Sequence, residues 1–416
     1  MSADRPRLLF LGQTLPYPPD SGVAIRTYNV LRLLAERYDV DALFFWRTRS
    51  TSDGPLVLAR TAALGPLARV QAFPIPQEHS RLRFGFDNLV SLASGQPYTR
   101  YAYSSGRFLA ALTRLLREKE YSLVHVDSLD LVRYLPLLPL DRTVCAHHNV
   151  ESALLVRRSE WGPNTLARKV MRRQGRLVER AEARWCPRVR LNVAVSERDA
   201  EHFRTVAPGS NVCVVPNGVD VNAFQPREGR ENGLVFVGGT SWFPNRDALS
   251  FFSRDVLPEV RRLRPNLGVS WVGRATPGEI ELHAELGVQM TGYVEDVRPH
   301  VADAACVIVP VRVGGGTRLK ILDAWAMGKA VVSTSVGCEG LEAIHGRNIL
   351  VADEPAAFAE AAVRVSEDEE LRMRLGVGAR ETAVERYAWS AIGEDMHEDY
   401  AKVAVSLNGE LVGAGS

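Results

Sequence analysis

The feature that most constrains this chain is a series of short, unbroken apolar runs, each separated from the next by a helix-length amphipathic stretch. The runs fall at 8–11, 40–45, 123–126, 143–146 and 191–195 in the first half. In the second half they fall at 212–215, 234–237, 269–272, 306–309, 330–332 and 349–351. Runs without polar alternation predict strands covered on both faces. Their alternation with helices predicts an α/β protein built on parallel sheets. At ~150 residues per domain, 416 residues allow two or three domains. The turn-rich segment Ala207-Pro208-Gly209-Ser210-Asn211 lies near the midpoint of the series and marks a boundary there. Two doubly wound, Rossmann-like domains result, 1–207 and 208–388. No internal repeat interrupts the pattern, and the Gly- and Ser-containing tail 407–416 is expected to fray.

Composition removes several classes of function. A hydrophobic content of 46% supports full cores and excludes a disordered chain. A net charge of +2 argues against a dedicated nucleic-acid binder. Cys145, Cys186, Cys213, Cys306 and Cys338 are scattered, with no CxxC pair, which fits reduced thiols and gives no zinc spacing. The N-terminal run Leu8-Leu9-Phe10-Leu11 is far shorter than the ~20 residues of a membrane span and lacks the form of a signal peptide. A cytoplasmic protein is expected. Segment 156–190 stands apart, with 11 Lys and Arg against three Glu. A solvated helix face explains it most simply, and peripheral contact with an anionic membrane is the alternative.

In doubly wound sheets, ligands bind beyond the carboxyl ends of strands. The first strand runs into a long Pro-rich loop ending Asp20-Ser21-Gly22, where a helix start would offer amides to an anion. The run at 143–146 leads into His147-His148-Asn149, placed for ligand contact, with no third residue at metal-ligand spacing. Pro216-Asn217-Gly218 reads as a turn in its own right. The richest segment is Val309 to Gly328, in which Gly314-Gly315-Gly316-Thr317-Arg318-Leu319-Lys320 precedes Asp323. Three glycines permit close backbone approach, and helix-start amides can bond anionic oxygens. Cations at a helix start oppose its dipole unless an anion is bound. It is neither a Walker loop nor a dinucleotide fingerprint.

Together these segments resemble glycosyltransferase family 4. The resemblance is carried by Asp20-Ser21-Gly22, His148-Asn149, Val195-Ser196-Glu197, Pro216-Asn217-Gly218-Val219-Asp220 and Phe236-Val237-Gly238. It continues through Gly292-Tyr293-Val294-Glu295-Asp296-Val297, Gly314 to Gly328, and Glu385-Arg386-Tyr387-Ala388-Trp389-Ser390. A subgroup linked to exopolysaccharide biosynthesis is similar in its Gly-Thr-Arg-Leu-Lys loop. The resemblance implies a GT-B architecture, two Rossmann-like domains facing across a cleft, with a helix at about 389–406 rejoining the first. It implies a retaining transferase using a nucleoside-diphosphate sugar, without cofactor or metal. The acceptor would be a glycan, a lipid-linked molecule or a small molecule, held near Asp20, Ser21 and Gly22. The donor would meet Gly239, Thr240, Arg246, Tyr293, Val294, Gly315, Gly316, Thr317, Leu319 and Asp323. His148, Arg318 and Lys320 would serve catalysis. The family's paired carboxylates would fall on Gly315 and Asp323, so the first is absent here. Its Arg and Lys after the Val-Gly loop are replaced by Gly239 to Arg246, and Arg318 with Lys320 would supply that charge instead. A silent nucleotide-sugar-binding protein and a sugar-nucleotide epimerase are the alternatives.

Overall fold

The computed structural model describes residues 5–47, 53–76, 80–160 and 164–404. The tail 407–416 lies outside them. The chain forms two compact units: residues 1–215 with 393–416, and residues 216–392.

The first unit is built on seven parallel strands: β1 (Arg7–Gly12), β2 (Asp39–Trp46), β3 (Arg69–Pro74), β4 (Leu123–Val126), β5 (Thr143–Ala146), β6 (Leu191–Ala194) and β7 (Val212–Val214). They lie in the order β3-β2-β1-β4-β5-β6-β7. The chain winds outward from β1 in one direction and from β4 in the other, so the winding reverses between β1 and β4. β1, β2 and β4 are almost wholly buried, as parallel strands covered on both faces must be. On one face Phe45 stacks on Phe108 at 4.5 Å between centroids, within a cluster that includes Leu9, Leu43, Val124 and Tyr134.

The second unit repeats the plan with β8 (Leu234–Val237), β9 (Val269–Val272), β10 (Gln289–Gly292), β11 (Cys306–Val309), β12 (Val331–Ser333) and β13 (Leu350–Val351). The order β10-β9-β8-β11-β12-β13 puts the reversal between β8 and β11. Phe236 stacks on Trp271 at 3.7 Å in its core.

The run at 212–215, expected to open the second domain, pairs with β6 and closes the first sheet. The division therefore falls at Val215/Pro216 rather than 207/208, because the Ala207–Asn211 turn joins a helix to the last strand of the same sheet. The helix Trp389–Ala401 begins in the second unit, and the chain is back in the first from Gly393. There Tyr400 is 1% exposed and its hydroxyl lies 3.1 Å from His125 Nδ1. No helix among the described residues is long and apolar enough to cross a membrane.

Candidate functional site

Both sheets collect polar residues at the carboxyl edge beside the reversal, where flanking loops part and leave room for a ligand.

In the first unit this edge is a buried carboxylate–imidazole network. Asp127 follows β4 directly, and its backbone N–H donates to the Leu11 carbonyl on neighbouring β1 at 2.8 Å. Its Oδ2 accepts from Thr27 Oγ1 at 2.6 Å, a contribution of the helix Gly22–Arg37. The same oxygen lies 3.2 Å from His148 Nε2, beyond β5. Oδ1 lies 3.5 Å from Nε2 of His125, on β4. Burial works against the Asp127 charge, but His148 and His125 more than offset it and hold the carboxyl well below the usual carboxylate range. His125 is driven the other way: burial lowers its pKa, and Asp127 only partly restores it. An ionised carboxylate can only accept a hydrogen bond, so His148 Nε2 carries a proton and donates it to Asp127.

His147 has a different place. Its Nε2 lies 3.1 Å from Asn192 Oδ1, its ring 4.1 Å from that of Phe203, and burial lowers its pKa to about 4. Neighbouring residues at a strand end point to opposite sides, so one histidine packs in the core and the other joins the network. His148 also lines a small pocket with Thr99, Ser128, Asp130, Asn149 and Glu151. Burial, with the nearby Glu151 charge, pushes the Asp130 carboxyl up to about 7. Asp20, Ser21 and Gly22 are exposed where the helix Gly22–Arg37 begins, and Ser21, the capping residue, makes no side-chain capping bond.

The second unit's edge is built of glycine backbone and cations. Lys320 Nζ donates to Asn245 Oδ1 at 2.9 Å and lies 3.8 Å from the centroid of the Phe236 ring. Asn245 Nδ2 in turn donates to the Gly239 carbonyl at 2.9 Å. The helix after β11 is thereby tied, through Asn245, to the loop after β8 across the reversal. A Cβ at Gly238 would lie 2.5 Å from Asn245 Nδ2 and 2.9 Å from Lys320 Nζ, so only glycine admits this approach. Burial draws the Lys320 pKa well below its usual value, and Arg318 acts in the same direction. Burial pushes Asp323 up to about 7, with Lys320 only partly opposing it.

Around this centre, Gly316 takes φ of +71°, a left-handed conformation natural to glycine. Arg318 precedes the helix Leu319–Ala326 as its capping residue and donates through Nη1 to the Gly315 and Gly316 carbonyls. Its charge therefore supports the glycine loop from within. The half-buried Thr317 has a hydroxyl without a hydrogen-bond partner among the described residues. Thr240 donates to Glu279 Oε2 at 2.9 Å, and Arg246 Nε donates to the Thr240 carbonyl at 3.1 Å. Tyr293 follows β10, is 66% exposed, and carries the Arg274 guanidinium 4.6 Å from its centroid. Val294 packs against the second core.

The structure thus groups Gly239, Thr240 and Arg246 in the loop and helix after β8, and Gly315, Gly316, Arg318 and Lys320 in the loop and helix after β11. Asp20, Ser21, Gly22 and His148 belong to the first unit. Sequence reasoning missed Asp127, Thr27 and Asn245. The signal for Asp127 was the break Val126-Asp127-Ser128, a carboxylate set directly after an apolar run. No group of three or more residues among those described could hold a metal ion.

Residues 20–223 match the model of Glycosyltransferase Family 4, and residues 231–368 match that of Glycosyl transferases group 1. The chain belongs to glycosyltransferase family 4. Within that family it is similar to the phosphatidyl-myo-inositol mannosyltransferase of Mycobacterium tuberculosis, 28% identical over 239 residues, 51% of this chain and 60% of that protein. The D-inositol 3-phosphate glycosyltransferase of Corynebacterium glutamicum is 28% identical over 274 residues, 59% of this chain and 63% of its own length. The matches thus span roughly three-fifths of these relatives. Among solved structures, the sucrose-phosphate synthase of Thermosynechococcus elongatus superimposes with a TM-score of 0.68 at 16% identity, over 95% of this chain and 98% of that one. HepE of Anabaena in complex with UDP gives 0.64 at 17%, over 94% and 99%. At such identities the likeness is one of fold. The fold is the GT-B class of family 4, two parallel-sheet α/β domains.

Proposed function

We propose that this protein is a retaining glycosyltransferase that moves a sugar from a nucleoside-diphosphate sugar to an acceptor hydroxyl. The observation that carries the reading is Lys320, a desolvated cation held against the Gly238–Gly239 loop at the reversal of the second sheet. A diphosphate there gives the lysine the counter-charge that its surroundings withhold. Lys320, the amides at the start of the helix Leu319–Ala326 and the Arg318-supported glycine loop then stabilise the charge that grows on the leaving diphosphate. Thr317 Oγ1 offers one more donor. Asp323 bonds the ribose hydroxyls, and the base lies against Tyr293 and Val294.

In the first unit, His148 accepts a hydroxyl hydrogen of sugar or acceptor at Nδ1. Exposed amides at Asp20, Ser21 and Gly22 take a polar group of the acceptor. Asp130 and Glu151, beside His148, offer carboxyl partners for a hydroxyl of the acceptor, in line with relatives whose names include inositol. The acceptor class is a glycan, as in polysaccharide biosynthesis, or a lipid-linked or small-molecule polyol.

The test is calorimetric titration of wild type and Lys320→Ala with UDP, GDP, ADP and dTDP, beside product analysis with the matching nucleotide sugars. One nucleotide should bind clearly best and lose affinity in the variant. Equal binding by both proteins would remove Lys320 from the donor site. A second reading rests on Gly315, which stands where the family's first carboxylate would fall. Tight nucleotide binding without transfer or slow hydrolysis would favour a silent binding protein, and an isomerised sugar would favour an epimerase.

A further inference from the structure

The helix Arg81–Ser94 is turned inside out. Leu82, Phe86, Leu89 and Ala93 recur at i, i+4, i+7 and i+11 and so share one face. That face points to solvent: Leu82 is 88% exposed, Phe86 62% and Leu89 68%. The opposite face holds two buried polar residues beside the partly exposed Phe84. Asp87 is 2% exposed and accepts from Arg83, and Ser91 is fully buried. A helix of a soluble domain normally buries the apolar stripe and solvates the polar one. An exposed stripe of this kind marks a contact surface.

The neighbouring helix identifies the contact. Gln174, in the helix Thr165–Trp185, donates through Nε2 to Ser91 Oγ at 2.9 Å and accepts from the Tyr98 backbone N–H at 3.1 Å. The two helices thus meet where Ser91 faces Gln174. Thr165–Trp185 carries seven cations against two carboxylates. Arg168, Lys169, Arg172, Arg176, Arg180 and Arg184 are exposed. Of its carboxylates, Glu182 is buried and accepts from Ser152 Oγ at 2.6 Å. Leu166, 72% exposed, adds an apolar side chain at the start of the same helix.

We propose that these two helices form a docking surface for an anionic lipid bilayer. The Leu82–Phe86–Leu89 stripe would enter the acyl boundary, and the arginines of the adjacent helix would meet the headgroups. A bilayer supplies an apolar layer and a negative surface side by side, which matches what the two helices present. The proposal is independent of the transfer reaction, because its readout is lipid binding rather than turnover.

The test is co-sedimentation of the full chain with vesicles of phosphatidylcholine alone and of phosphatidylcholine mixed with phosphatidylglycerol. Wild type should partition onto the mixed vesicles and weaken as salt rises. Arg172→Gln with Arg176→Gln should lower the partition about fivefold per cation removed. Leu82→Ser, Phe86→Ser and Leu89→Ser should each lower it about tenfold at low and high salt alike. All these positions are exposed, and unchanged circular dichroism and melting confirm folded variants. Absence of wild-type partition overturns the proposal, as does a serine triple variant that binds as wild type does. Wild-type self-association that the serine substitutions abolish, without vesicle binding, would assign the stripe to a second copy instead.

Discussion

The two units share one strand order and one place for a ligand, yet their edges carry opposite chemistry. At the β1/β4 reversal, Asp127 accepts from Thr27 and His148 in a buried network, with His125 Nε2 3.5 Å from its other oxygen. At the β8/β11 reversal, glycine backbone and two cations face one another, and Asn245 Oδ1 is the only acceptor that Lys320 reaches there among the described residues. The topology fixes where a ligand is met, and the residues fix which. An edge whose cation is desolvated without a carboxylate bonded to it suits an anion, whereas an edge whose imidazole is oriented by a carboxylate suits proton handling.

If this division holds, substitutions in the two units should fail in different ways. The largest effect is expected from His148→Ala. Turnover should fall by about 10²–10⁴, the usual weight of a positioned acid–base group, with nucleoside-diphosphate affinity unchanged by calorimetry. An equal loss of affinity would erase the contrast between the edges. Asp127→Asn should act in the same sense and less strongly. An amide no longer compels the proton to sit on His148 Nε2, so kcat should drop by about 10–10² while the donor KM stays put. Asp127→Glu should recover part of the loss.

Lys320 sharpens the other side of the comparison. Burial lowers its pKa in the free protein, and a bound diphosphate should raise it again. Nucleotide binding should therefore take up a proton at alkaline pH, seen as a binding enthalpy that depends on the ionisation enthalpy of the buffer. Lys320→Ala should abolish that dependence, and His148→Ala should preserve it.

The smallest effect concerns stability. The Asp323 carboxyl sits at about 7 in the folded protein, against about 4 in an unfolded chain. Between those values the folded state binds more protons, so rising pH destabilises it through this window. Asp323→Asn should melt about 2–4 °C higher than wild type at pH 7 and show a flatter melting profile between pH 4 and 7. A residual slope remains, because Asp130 titrates in the same range within the first unit.

The centres of both sheets were legible because buried parallel strands leave unbroken apolar runs. The edges were not. β3, with sequence Arg69-Val70-Gln71-Ala72-Phe73-Pro74, and β10, with Gln289-Met290-Thr291-Gly292, each pair with one neighbour and need no such run. The glycine loop and Lys320 were legible as well, since the anion-binding cue lies within a few consecutive residues. The network around Asp127 was hidden, because its members at 27, 125, 148 and 400 are brought together only by the tertiary fold. The inverted helix Arg81–Ser94 shows the same limit. Periodicity marks the Leu82–Phe86–Leu89 stripe, but its partner across the fold, Gln174 on Ser91, lies 83 residues away in sequence.

The return of the chain to the first unit at Gly393 has a consequence for how the protein is made. Leu33 packs where a Cβ on Gly393 would lie, 2.7 Å from its Cδ2, and Tyr400 reaches His125 beneath the network. The segment that closes the first unit is thus translated after the whole of the second. At ~5–20 residues per second, a ribosome needs on the order of ten seconds or more to cover the 177 residues from Pro216 to Ile392. For that interval the first-made half waits with an open seam, and a stop codon anywhere before Tyr400 would leave it open permanently.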